Sequence, residues 1–230
     1  MANIHHERSP LSRLAFAMLS ALFFILPFGI GPLTNLLLMG LLLLFFFIVQ
    51  KKEWLNALRH PVVLFSWAYY ACLALSLIYS SDVESGLRNL ETKLSFLLAP
   101  PAIIAFSHHV NAKMKNRMLK TFVLGNLAAF GYILAYATYR SIQYGATYYI
   151  PEGGTYKRHL FQYETFSEPL MHPGYLATYA GVAALVCFAF LIKRKPGKRF
   201  WTISLGVLVI EMLMLQGRIN IIALAAVIFS

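Results

Sequence analysis

Arg218 follows Leu213, Met214, Leu215, Gln216 and Gly217 and precedes Ile219 and Asn220, so a permanently charged guanidinium sits between two apolar runs. In hydrocarbon such a group is costly unless it faces a wet cavity or an anion, and its planar fork matches phosphate oxygens. Gly217 beside it lets a backbone or a ligand approach closely. The plainer reading is an interfacial arginine that snorkels to headgroups. Glu211 lies seven residues earlier; on a regular helix the two share a face about 10 Å apart along the axis. That is too far for a direct pair. Glu211 either lines one polar cavity with Arg218 or is protonated and hydrogen-bonded to a neighbouring helix.

A second set of reactive types occupies residues 140–173, a polar segment of 34 residues in which Arg140, Glu168 and His172 accompany seven aromatic residues, from Tyr144 to Phe166. It is too polar to cross a bilayer and too long for a simple turn. Aromatic faces beside carboxylates suit a sugar, whose ring stacks while its hydroxyls need acceptors; the bland counterpart is an interfacial aromatic belt. Phe166 to Tyr175 leads straight into an apolar run, and Pro173 fits a first helical turn, where its missing N–H is not needed. His172 then lies at the mouth of a helix bundle, able to take a proton when neutral or to pair with phosphate when charged. Capping or packing is the competing role for it, and Glu168 is the weaker candidate.

The elements that position these residues are transmembrane helices. Of 230 residues 59% are hydrophobic and 13% charged, and the mean hydropathy is +0.63; a soluble domain carries about 25% charged residues. Apolar blocks near 14–30, 33–50, 62–80, 94–107, 118–139, 174–192, 201–216 and 219–230 predict an all-α polytopic bundle of about eight spans. Pro100 and Pro101 mark the fourth as kinked or partly re-entrant, with an amphipathic lead-in over 82–93. The twelve residues after Arg218 are too few to recross, so the last span reads as truncated. The domain expectation is a single transmembrane domain over 1–230.

Alternation of sides then sorts the charges. With the amino terminus cytoplasmic, the inner segments hold fourteen Lys and Arg, namely Arg8, Arg13 and the clusters at 51–59, 113–120 and 193–199, against Glu7 and Glu53 alone. The outer segments balance six basic residues with six acidic ones, which is the positive-inside pattern of a bacterial-type inner membrane. The net charge of +11 is therefore assigned to orientation, not to nucleic acid, because no basic residues line a soluble face. Cys72 and Cys187 both fall within apolar spans, which supports neither a disulfide framework nor a cysteine zinc site.

His172, Pro173, Gly174 and Tyr175 at a helix start, then one basic loop and a span ending in Gln216, Gly217 and Arg218, resemble the O-antigen ligase and polymerase superfamily. Residues Leu90 to Pro100 are similar to that family's segment before its fourth or fifth span, and the resemblance runs from about residue 15 to the end, as the amino-terminal part of a member. It implies a glycosyltransferase that moves a glycan from an undecaprenyl-diphosphate carrier to lipid A core on the periplasmic face, or to another glycan in a polymerase. Membrane lipids and those two substrates are the implied partners; no cofactor and no metal are implied. Arg218 matches the family's diphosphate-holding arginine; the reading of the residues themselves adds Glu211, Glu168 and Arg140 as cavity or supporting residues and His172 as the candidate catalytic group. Gly217 stands where members commonly have serine, and the family's essential histidine belongs to a later outer loop, so neither role transfers. A transporter using Glu211 and Arg218 along its path, or a non-catalytic scaffold, is the rival from another class.

Overall fold

The computed structural model describes residues 10–79, 82–144, 148–149, 158–159, 170–193 and 196–215. Its helices are α1 (Pro10–Ile25), α2 (Gly31–Ile48), α3 (Lys51–Leu58), α4 (Pro61–Ser76), α5 (Val83–Thr92), α6 (Ser95–Phe106), α7 (Ala112–Tyr144), α8 (Pro173–Ile192) and α9 (Lys198–Met214). Single 3-10 turns at Leu26–Phe28, Leu77–Tyr79 and Ser107–His109 prolong α1, α4 and α6. The described extended pairing is one antiparallel contact, Tyr148 with His159 and Tyr149 with Arg158. Six helical runs among the described residues are long and apolar enough to cross a bilayer. Phe46, Phe47, Phe65 and Ile142 are 77–80% exposed on them, an arrangement suited to acyl chains and not to water. The protein is thus an all-α, multi-pass membrane protein whose lipid-facing side chains meet the bilayer.

Two compact units make up the chain, one from Met1–Leu19 with Asn35–Lys115 and the other from Ser20–Thr34 with Asn116–Ser230. In the first, α6 packs on α3 and α4. Phe45 of α2 stacks on Phe106 of α6, with centroids 4.3 Å apart, and both rings are fully buried. α6 stays helical through Pro100 and Pro101. Each proline lacks the N–H that would bond four residues back, leaving the carbonyls of Phe96 and Leu97 without their helical donors. α4 supplies replacements: Ser66 Oγ donates to Phe96 O at 2.6 Å, and Trp67 Nε1 donates to Leu97 O at 2.9 Å. Neighbouring helices commonly repair a proline in this way, since no water is present in hydrocarbon to do so. The amphipathic lead-in is α5, capped by Asp82, whose Oδ1 accepts from the Ser85 N–H at 3.0 Å. Bonds from the Ser85 backbone and hydroxyl hold the Asp82 carboxyl below its ordinary pKa.

In the second unit α8 and α9 run antiparallel. Phe190 near the end of α8 meets Trp201 in the first turn of α9, with centroids 4.4 Å apart, and Leu176 near the start of α8 shares an apolar cluster with Leu215 just past the end of α9. The buried stripe of α8 is made of small residues, Ala177, Ala180, Gly181, Ala183 and Ala184, which let helix backbones approach closely. Cys187 continues that stripe and is buried, whereas Cys72 on α4 is exposed. Phe122 of α7 sits edge-on between Phe23 and Tyr179, at 6.0 and 6.3 Å. Three residues along, a Cβ on Gly125 would lie 2.4 Å from the Phe24 carbonyl oxygen, so glycine is what admits the end of α1 to this face.

Candidate functional site

The sequence-derived site residues divide between those the structure describes and those it does not. Arg218 and Glu168 lie outside the described residues, as do Gln216 and Gly217. Arg140, His172 and Glu211 are described, and all three belong to the second unit. One apolar cluster relates the elements that carry them: Ile133 and Ala137 of α7, Leu176 and Ala177 of α8, and Leu215, with Leu170 and Met171 packed against it. The end of α7, the start of α8 and the end of α9 therefore come together at one end of this unit.

Arg140 lies one turn beyond Ala137. The helix reaches Tyr144 and so includes the first residues of the segment expected as a loop from 140 onward; no breaker precedes Gly145. The Arg140 guanidinium is half-buried, donates from Nη1 to the Tyr136 hydroxyl at 2.9 Å and lies over the Tyr136 ring, 5.6 Å from its centroid. Folding back one turn in this way keeps a cation at a helix end without a long reach into solvent.

His172 is the N-cap of α8 and is exposed. Its Nδ1 accepts from the Gly174 N–H at 3.2 Å, and Pro173 begins the helix. Because Nδ1 is the acceptor, the neutral ring carries its proton on Nε2 and presents a donor outward. An oxygen-rich ligand suits that tautomer; proton abstraction requires the cap to open first. Just before it, Leu170 O and Met171 lie about where a Cβ would project from Gly29, each at 3.0 Å, and Gly29 itself has φ +65°, a conformation natural to glycine.

Glu211 is one helical turn inward from Leu215 and is fully buried. It lies between Leu208 and Met212 of one apolar cluster and Leu215 of the next, and neither carboxyl oxygen has a hydrogen-bond partner among the described residues. The bond to a neighbouring helix that one sequence reading expects is thus not formed with a described residue. Asn126, also fully buried, is better served: its Nδ2 donates to Phe122 O at 2.9 Å, while Oδ1 has no described partner.

A polar cavity that sequence reading does not single out lies in the first unit. It encloses about 470 Å³ between the end of α4 and one face of α5, with Ser76, Asp82, Ser85, Asn89 and Lys93 among its walls. The signal for it is the amphipathic spacing of Ser85, Asn89 and Lys93, which recurs every fourth residue. Among the described residues no group of three or more His, Cys, Asp or Glu is arranged to hold a metal ion. No protein-family model, no curated protein and no solved structure matches the chain.

Proposed function

We propose that the chain is a glycosyltransferase of the O-antigen ligase and polymerase superfamily, lodged in a bacterial inner membrane and taking its glycan from undecaprenyl diphosphate. One packing contact carries the reading: Leu215 at the end of α9 lies in the same cluster as Leu176 at the start of α8. The Gln216, Gly217, Arg218 motif begins one residue past Leu215, and the His172, Pro173, Gly174, Tyr175 motif opens α8. Three residues of chain span at most about 11 Å, so both motifs are rooted at the same end of one helix pair.

In the proposed reaction an acceptor hydroxyl attacks the anomeric carbon, a new glycosidic C–O bond forms, the bond to the lipid diphosphate breaks with its electron pair going to the phosphate oxygen, and the hydroxyl proton passes to the departing diphosphate or to water. Negative charge gathers on the departing phosphate oxygens, and a positioned guanidinium lowers the barrier by meeting it. Arg218 takes that role, and the outward Nε2–H of His172 is a donor for a substrate oxygen. The acceptor is lipid A core for a ligase and a second glycan for a polymerase.

The test is glycan transfer in cells expressing the protein with Arg218→Ala or Arg218→Lys. Transfer is expected to fall at least about a hundredfold in both while membrane insertion is unchanged, since lysine keeps the charge but not the fork. Normal transfer by the two variants removes Arg218 from the chemistry. Offering lipid A core and a free second glycan side by side tells ligase from polymerase.

A further inference from the structure

At the other end of the second unit, away from His172, a pocket of about 300 Å³ opens where α7 begins, α8 ends and α9 begins. Its polar wall is Asn116, Arg117 and Lys120 on α7, and its apolar wall is Phe190, Phe200 and Trp201. Trp201 and Phe190 are almost wholly buried, and Phe200 meets Trp201 edge-on at 4.9 Å. The floor is held in place by the turn at Pro196 and Gly197. Trp201 Nε1 donates to Pro196 O at 3.3 Å, and Gly197 adopts φ +87° as the N-cap of α9, where no side chain caps the helix. Lys120 Nζ lies over the Phe200 ring, 5.0 Å from its centroid, so one cation joins the two walls.

Orientation in the bilayer accounts for basic residues at this level, but not for a cavity among them. Arg117 and Lys120 are one turn apart on the same face of α7, no acidic residue lines the pocket, and neither cation has a carboxylate partner among the described residues. The adjacent start of α9 adds the positive end of a helix dipole. Guanidinium and ammonium at one side, with aromatic faces at the other, match a group that is anionic at its head and carbon-rich just below. A phosphodiester joined to glycerol has that character, and the pocket opens near the ends of two helical runs long and apolar enough to cross a bilayer, Ala112–Gln143 and Pro173–Ile192, where a spanning helix meets such headgroups.

We propose that this pocket binds the headgroup of an anionic glycerophospholipid, with the phosphate between Arg117 and Lys120 and the glycerol carbons against Phe200 and Trp201. The site is independent of the glycan-transfer reading and stands whether or not that reading holds.

Native mass spectrometry of the purified chain, released from nanodiscs of mixed phosphatidylglycerol and phosphatidylcholine, tests it. Arg117→Gln with Lys120→Gln is expected to lower retained phosphatidylglycerol roughly thirtyfold, whereas Lys113→Gln with Lys115→Gln, an equal loss of charge on the same helix outside the pocket, changes it less than about threefold. Equal losses from the two pairs indicate a diffuse surface potential and overturn the proposal, as does no loss from the first. A second measurement uses the unaltered chain in case the first pair fails to fold: delipidated protein should gain thermal stability with phosphatidylglycerol and little with phosphatidylcholine. No difference between the lipids overturns the proposal, and so does an equal gain from inorganic phosphate alone, which would assign the pocket to a soluble anion.

Discussion

Trp67 of α4 donates its indole N–H to the carbonyl of Leu97, the oxygen that Pro101 leaves without its own helical donor. Ser66 does the same for Phe96, four residues before Pro100, so consecutive residues on one helix answer consecutive vacancies on another. Replacing Trp67 by Phe keeps most of the packing and removes the donor. A loss of about 1–3 kcal/mol in unfolding stability is expected, because a dry carbonyl is then left unpaired. In the Pro101→Ala background the same change should do much less harm, since alanine at that position regains an N–H that can restore the i to i−4 bond. A double-mutant cycle by thermal unfolding in detergent measures this; equal losses in both backgrounds would show that the indole acts by packing alone.

Gly125 makes a prediction of the opposite kind, in which adding one methyl group is harmful. Gly125→Ala drives a Cβ against the backbone of Phe24, which has no side-chain freedom to yield. The expected destabilisation is about 1–3 kcal/mol. Gly131→Ala, on the same helix with nothing within 4 Å of the added atom, should be neutral or stabilising by up to about 1 kcal/mol. Melting temperatures of the two variants in one detergent decide the matter.

His172 has a structural duty that can be separated from a chemical one. Asparagine is an effective N-cap, so His172→Asn should retain stability, whereas His172→Ala should lose about 1 kcal/mol. If His172→Asn is stable yet defective in the glycan transfer proposed for the chain, the ring itself contributes to that reaction. Full transfer by that variant confines His172 to capping.

Glu53 provides a pH prediction in the first unit. His109 Nε2 lies 3.1 Å from Glu53 Oε2, which also accepts the Gln50 N–H at 2.8 Å. Partial burial by itself would raise the Glu53 pKa; the Gln50 N–H and the His109 hydrogen bond, with the charges of His109 and His108, outweigh it and hold the carboxyl below its ordinary value. A carboxyl lowered in the folded state stabilises fully above its unfolded pKa of about 4.3 and ceases to do so as pH falls through the lower folded value. Thermal stability of the unaltered protein should therefore decline across that acidic range, by no more than about 1 kcal/mol from this group. Glu53→Gln should be less stable at neutral pH and lack that part of the decline; an unchanged acid profile would show that the pair contributes nothing.

The all-α, membrane-spanning character of the chain is legible in the sequence because an apolar block bounded by lysines, prolines or glycines has few other fates in a chain this poor in charge. α8 is the clearest case, with Pro173 at its first turn and Lys193 just past its last. α3 is harder to see: Lys51, Lys52 and Arg59 announce a basic connection, yet the segment is a short helix with a Gln50 and Glu53 capping box, packed against α6. Trp67 and Leu97 are thirty residues apart, and nothing local to either signals the other. The chemistry of Glu211 is readable as a cost but not as a geometry, since burial without a described partner is decided by what the surrounding helices leave around it. At Arg218 the sequence supplies the motif and the structure supplies the nearest described neighbour, Leu215.

The approach of Phe24 to Gly125 also bears on how the protein is made. About a hundred residues separate them, and at ribosomal speeds of about 5–20 residues per second the first helix waits on the order of 5–20 s for the surface it will rest on. During that interval α1 stands in the bilayer with its docking strip open to lipids, to the insertion machinery or to another nascent chain. Its final seat is taken late, when α7 emerges with a notch one hydrogen atom deep.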